Sequence, residues 1–264
     1  MSFAGRLADV IAATDSLLCL GLDPDLDSCP DVLSLERHCA QLLDSCLEHA
    51  AAVKPNVAFF EQHGPEGLAA LVRLRERIPD TRLVIIDAKR GDIGSTARAY
   101  ARALFDVLGA DAVTVNPLMG EDAVQPFLDR PGRGCFLLTR TSNPGAADIL
   151  EQELADGTPI YRHIATLAQR WDRLGNAGLV VGATSPEAVA VVRRSAPRLP
   201  LLIPGVGAQG GDLDGSVAAA LDGAGGGVLV SVSRGIAQAA DPAGAAAEMA
   251  RRLREARMAA HRPA

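Results

Sequence analysis

Aromatic side chains are scarce in this sequence: one Trp, two Tyr and six Phe make up 3% of 264 residues. A core must therefore come mainly from Ala, Val, Leu and Ile within the 48% of hydrophobic residues, which suits helices packed closely on a sheet. Basic residues are not in excess, with 26 Lys and Arg against 32 Asp and Glu and a net charge of -6. That balance argues against a broad nucleic-acid surface, which needs a basic face to displace counterions. Single basic residues remain free to hold one small anion. No apolar run approaches the ~20 residues that span a bilayer, so no membrane partner is expected. The N-terminal stretch carries acids and lacks the charged-then-apolar order of a signal peptide. The cysteines (Cys19, Cys29, Cys39, Cys46 and Cys135) are odd in number and form no CxxC pair. They are expected as reduced, buried small hydrophobes of a cytoplasmic protein. His38, His49, His63, His163 and His261 are scattered without metal-ligand spacing, so no metal and no cofactor is expected.

What the chain does contain is an alternation. Short apolar runs recur at residues 17–22, 51–56, 83–87, 112–116, 135–139, 178–182, 201–204 and 227–231. Most are apolar along their length, as parallel strands covered on both faces should be. Segments of helical period lie between them. Residues 31–50 place Val32, Leu35, Cys39, Leu42, Leu43 and Cys46 on one stripe. Residues 96–108 repeat the pattern and stop at Gly109, and residues 159–174 stop at Gly175. Ser185-Pro186-Glu187 is a helix start, with a capping hydroxyl, a first-turn proline and an acid at the positive end of the dipole. A last helix is expected over 243–259. The length is close to the ~250 residues of one (β/α)8 barrel. The expectation is an α/β fold: a TIM barrel forming a single catalytic domain over 1–264.

Active sites of such barrels lie at the C-terminal strand ends. Those ends carry Asp23, Lys54 with Asn56, Asp87 with Lys89, and Asn116. Residues 139–143 (Thr-Arg-Thr-Ser-Asn), a glycine-rich loop over 204–211 and Ser233-Arg234-Gly235 follow at later ends. Strand alternation puts Asp87 and Lys89 on one side. Gly91 permits a turn that brings Asp92 back toward Lys89. A lysine between carboxylates stays protonated while they stay ionised. A salt-bridge network closing the rim is the plain structural alternative. Lys54 adds a second cation and moves the balance toward a site of preorganised charge. The loops after strands seven and eight often bind phosphate in these barrels. Here they offer backbone N–H groups at Gly205, Gly207 and Gly210, the Gln209 amide and the Arg234 fork.

With those residues in view, the sequence resembles the orotidine 5′-phosphate decarboxylase family, in the branch whose signature reads DAKRGDIGSTA, here Asp87 through Ala97. The likeness extends to Gly21-Leu22-Asp23-Pro24, Lys54-Pro55-Asn56, Thr114-Val115-Asn116-Pro117, Thr141-Ser142-Asn143-Pro144-Gly145, the 204–211 loop and Ser233-Arg234-Gly235. The resemblance implies decarboxylation of orotidine 5′-phosphate to uridine 5′-phosphate without a cofactor. It makes Lys89 the proton donor to C6, Asp87 the carboxylate beside the substrate carboxylate, and Lys54 the bridge between ribose and Asp87. It makes Asp92 and Thr96 residues lent across a homodimer. Asp23 becomes a ribose contact, Ser142 the reader of the pyrimidine, and Gln209, Gly210 and Arg234 phosphate contacts, with Asn116 in the binding set. Residues 143–159 carry no assigned role, being either a lid or a surface excursion, with the excursion slightly favoured.

Other readings share parts of this pattern. Metal-dependent sugar-phosphate enzymes of the hexulose-phosphate synthase or ketogulonate-phosphate decarboxylase type carry a similar Asp-Lys-Asp string. A Schiff-base aldolase needs a neutral lysine, which the neighbouring carboxylates oppose. A non-catalytic nucleotide-binding barrel is the remaining class.

Overall fold

The structure is a computed structural model that describes residues 1–205 and 213–260. Eight strands close into a parallel barrel in chain order: β1 (Leu18–Leu22), β2 (Ala52–Pro55), β3 (Leu83–Arg90), β4 (Ala112–Val115), β5 (Gly134–Arg140), β6 (Ala177–Val181), β7 (Leu201–Pro204) and β8 (Val228–Val232). Closure comes from β8 pairing in parallel with β1, with Leu18 opposite Val230 and Leu20 opposite Val232. The strands are buried almost throughout, so their apolar runs satisfy a packed interior on one face and helices on the other. The eight apolar runs thus became the eight expected strands.

The helices follow their stripes. Val32–Cys46 buries Leu35, Cys39, Leu42, Leu43 and Cys46, and begins at a reciprocal cap between Asp31 and Ser34. The remainder of that expected helix, Leu47–His49, tightens into a 3₁₀ turn. Ser185 caps Pro186–Ser195 by accepting from the Ala188 N–H at 3.2 Å. The helix expected over 96–108 starts earlier, at Gly94, and its last turn, Ala103–Val107, widens to a π turn that buries the adjacent Leu104 and Phe105.

The strand–helix alternation has no slot for the N-terminal helix, Phe3–Thr14. It covers the N-terminal end of the barrel, where the Phe3 ring meets Phe136 edge-on at 5.8 Å and Arg6 donates to Asp111 Oδ1 at 2.7 Å. Asp111 Oδ2 in turn accepts from the Val84 N–H at 2.9 Å. This end is closed by packing and paired charge. The opposite end is left open for chemistry.

Candidate active site

Strands β1 to β4 deliver the charged groups. Lys54, on β2, is buried, and its Nζ stands 3.2 Å from Asp87 Oδ2 and 4.0 Å from Asp23 Oδ1. Lys89 Nζ reaches Asp87 Oδ1 at 2.7 Å, and Thr114 Oγ1 on β4 donates to the same oxygen at 2.7 Å. One carboxylate therefore sits between two ammonium groups and a hydroxyl. Burial pushes the Asp87 carboxyl up, but Lys54 and Lys89, with hydrogen bonds from Lys89 and Thr114, outweigh it and hold its pKa well below the carboxylate range. Burial pushes Lys54 down, yet Asp87 and then Asp23 more than reverse this, and the lysine stays an ammonium. That state disfavours Schiff-base chemistry, which needs a neutral amine. Deeper on β1, burial pushes the Cys19 thiol up to about 12, so it stays a neutral thiol.

The way β3 presents Lys89 differs from the expected alternation. β3 runs three residues past Asp87, its register with β4 shifts between Ile86 and Arg90, and Lys89 itself is left-handed, with φ 48°. Local backbone strain, as well as strand pleat, aims this side chain. Gly91 also acts differently. Its φ is ordinary, but a Cβ there would stand 3.1 Å from the Asn116 carbonyl oxygen, tighter than most side-chain contacts, so the missing side chain lets the two loops approach closely. Asp92 does not return to Lys89 within the chain; its Oδ1 accepts from the Ile93 N–H at 2.7 Å. Asp92 and the exposed Thr96 lie on the outer rim.

Two adjoining cavities occupy the mouth. One of about 160 Å³ is lined by Asp23, Lys54, Asn56, Asp87, Ser142, Gly205 and Arg234 among others. The second, about 310 Å³, adds Lys89, Thr114, Leu138, Val180 and Leu202, which give it an apolar wall beside the charges. Together they fall in the range of small-molecule sites. A wider groove of about 690 Å³ lies between Leu213–Ala220 and Pro242–Ala260, but there Arg251 is already paired with both Glu248 and Glu255, and the groove shares no lining residue with the two cavities at the mouth.

The remaining expected residues fall into three groups. Ser142 lines both cavities, and a Cβ at Gly182 on the neighbouring strand end would stand 2.7 Å from the Ser142 Cα, so the missing side chain sets the position of this loop. Arg234 lines the smaller cavity and has no ion pair among the described residues. Asn116 lines neither cavity: its Oδ1 accepts from the Leu118 N–H at 3.0 Å and shapes its own turn. Gln209 and Gly210 lie outside the described residues. Arg140 clamps the segment over 143–159, with Nη2 at 2.7 Å from Glu151 Oε1 and Nη1 at 2.7 Å from Thr184 Oγ1. Thr114 and Gly182 were missed as side-chain positions. A polar residue inside an apolar strand was the one available signal for Thr114.

Asp23 Oδ1 is buried and, among the described residues, has no hydrogen-bond donor, the nearest cation being Lys54 Nζ at 4.0 Å. It remains able to accept a hydrogen bond from a group entering the cavity that Asp23 lines.

The family model described as orotidine 5′-phosphate decarboxylase/HUMPS matches residues 16–249. An orotidine 5′-phosphate decarboxylase of Roseiflexus castenholzii is 49% identical over 271 residues, covering 99% of this chain and 99% of its own length. One from Thermomicrobium roseum is 48% identical over 258 residues, covering 95% of this chain and 92% of the relative. The solved OMP decarboxylase of Leishmania donovani superposes with a TM-score of 0.91 at 43% identity, over 98% of this chain and 100% of that one.

Proposed function

The chain belongs to the orotidine 5′-phosphate decarboxylase/HUMPS family, and on that premise we propose how its residues divide the work of converting orotidine 5′-phosphate to uridine 5′-phosphate and CO₂. The family model spans both branches; the full-length relatives, near half identical, carry the decarboxylase name, and the activity is that of a carboxy-lyase of pyrimidine biosynthesis. The single observation that carries the division of roles is the Lys54–Asp87–Lys89 array at the barrel mouth.

Breaking the bond between C6 and the carboxylate leaves an electron pair on C6 that the pyrimidine ring delocalises poorly. The Lys89 ammonium lies where that charge develops, held by Asp87, and stabilises it without reorganisation. The bond electrons stay on C6 as CO₂ departs. Lys89 then gives C6 a proton and regains one from solvent, so orotidine 5′-phosphate plus one proton becomes uridine 5′-phosphate plus CO₂. Asp87, kept ionised, faces the substrate carboxylate. Lys54 and the orphan acceptor of Asp23 take the ribose hydroxyls. Ser142 reads the pyrimidine. Arg234, with Gln209 and Gly210, takes the phosphate, whose binding energy orders the distant reacting end. Asn116 acts through the shape of its loop.

Asp92 and Thr96 serve the neighbouring subunit of a homodimer. Their outward placement supports this, as do Ile93, Leu118 and Met119 on the same and adjoining loops, which are 52%, 55% and 50% exposed. Apolar side chains gathered on a rim mark an interface. The test of the activity is turnover of orotidine 5′-phosphate, followed by loss of orotate absorbance with a chelator present and no cofactor added. Full activity is expected; activity restored only by a divalent metal would refute the reading.

A further inference from the structure

We propose that Thr114 is a positioning residue of this active site: its hydroxyl couples the ionised Asp87 to the left-handed backbone that aims Lys89. The inference rests on the decarboxylase reading above and adds a residue to it.

A threonine hydroxyl offers one proton and two lone pairs. Both lone pairs of Thr114 Oγ1 are occupied, by the Ala88 N–H at 3.1 Å and the Lys89 N–H at 2.9 Å. The hydroxyl proton is then free only to donate, and Asp87 Oδ1 stands 2.7 Å away. Thr114 is thus a committed donor, in a side chain 1% exposed and shielded from competing water. Asp87 Oδ1 also takes Lys89 Nζ, and Oδ2 takes Lys54 Nζ. With donors on both oxygens, two of them cationic, the ionised carboxylate is strongly favoured over its protonated form.

The same hydroxyl acts on the backbone. Lys89 has φ 48°, a conformation that side-chain-bearing residues rarely adopt without support. The peptide entering it is held from both sides: its N–H by Thr114, and its carbonyl, on Ala88, by Arg90 Nη1 at 3.2 Å. Arg90 is steadied by an ion pair with Glu61 and by the Tyr100 ring, 5.4 Å from its guanidinium carbon. Of the two anchors, only Thr114 also touches the Asp87 carboxylate. A displacement of this hydroxyl therefore moves both ends of the Asp87–Lys89 pair, and small misplacements of reacting groups weaken catalysis steeply.

The experiment compares Thr114→Val, Thr114→Ser and Thr114→Ala with wild type for kcat, KM and affinity for uridine 5′-phosphate. Valine keeps the volume and removes the hydroxyl; serine keeps the hydroxyl and removes the methyl. The expected result is a roughly ten- to hundredfold loss of kcat in Thr114→Val, with KM and product affinity within about threefold of wild type. Thr114→Ser should recover most of that loss. If Thr114→Val does not fold, the kcat ratio of Thr114→Ser to Thr114→Ala isolates the hydroxyl and should be tenfold or more. The proposal is overturned if the hydroxyl-free variants keep kcat within twofold of wild type, if serine falls as far as valine or alanine, or if the loss lies in KM alone. Wild type is assayed first. Active wild type with unchanged Thr114 variants refutes this inference alone, whereas inactive wild type removes the decarboxylase reading and this proposal with it.

Discussion

Mixing two inactive chains tests the shared site most sharply. Within one chain Lys89 meets Asp87 but not Asp92, whose side chain accepts from its own loop at Ile93. If Asp92 completes the partner's site, Lys89→Ala and Asp92→Asn damage different chains but the same kind of site. In a mixed dimer, one site lacks both groups, and the other combines an intact Lys89 with an intact Asp92 from the opposite chain. Random twofold pairing of equal amounts makes about half the dimers mixed, so roughly a quarter of all sites should work. The two variants are unfolded, mixed, refolded and assayed for orotidine 5′-phosphate turnover, with each refolded alone as a control. Specific activity near a quarter of refolded wild type is expected. If Asp92 acted in its own chain, every site would lack an essential group. No recovery despite verified subunit exchange would therefore refute the shared site and leave the activity standing.

Arg234→Ala should weaken uridine 5′-phosphate binding roughly ten- to hundredfold and uridine binding hardly at all, because a charge-assisted phosphate contact is absent in the nucleoside; calorimetry on both ligands reads this directly. Asp87→Asn should destabilise the fold by about 3 kcal/mol near neutral pH, since it strips the buried Lys54 of its nearer counter-charge. Because the folded-state pKa of Asp87 lies below the ordinary 3.8, its contribution is present above that value and is lost as pH falls toward the folded pKa. The melting-temperature gap between wild type and Asp87→Asn should accordingly shrink below about pH 4, and a gap that widens there would contradict the assignment. Arg193, buried and lowered by burial to about 10, remains charged at neutral pH and donates to the carbonyls of Ala196, Pro197, Leu199, Ala220 and Gly227. Arg193→Met leaves these acceptors without their donor and should cost about 3 kcal/mol or more in urea unfolding, with turnover per folded molecule unchanged.

The barrel was legible in the sequence because burial on both faces leaves a local trace. A parallel strand enclosed on two sides must be largely apolar, so the runs at 201–204 and 227–231 stand out without any neighbour, the second shifting by one residue to Val228–Val232 in the fold. Helix starts such as Ser185 were legible for the same reason, since a cap acts within three residues. The chemistry-bearing groups at Asp23, Lys54, Asp87 and Lys89 also stood out, because charge at the end of an apolar run has few structural uses. What the sequence could not express was the meeting of distant parts. The Thr114 hydroxyl finds Asp87 and two amides only because β4 lies beside β3 in one register, and the Lys89 backbone departs from the pleat at that junction. Arg193 has no acid within five residues along the chain to suggest a partner, and its acceptors are carbonyls at the ends of several elements brought together by closure. Composition and period act over a few residues and determine which elements form. Register, closure and the direction of a strained side chain are set by contacts between elements, and they decided which of the charged residues meet in one chain and which, like Asp92, are left facing outward.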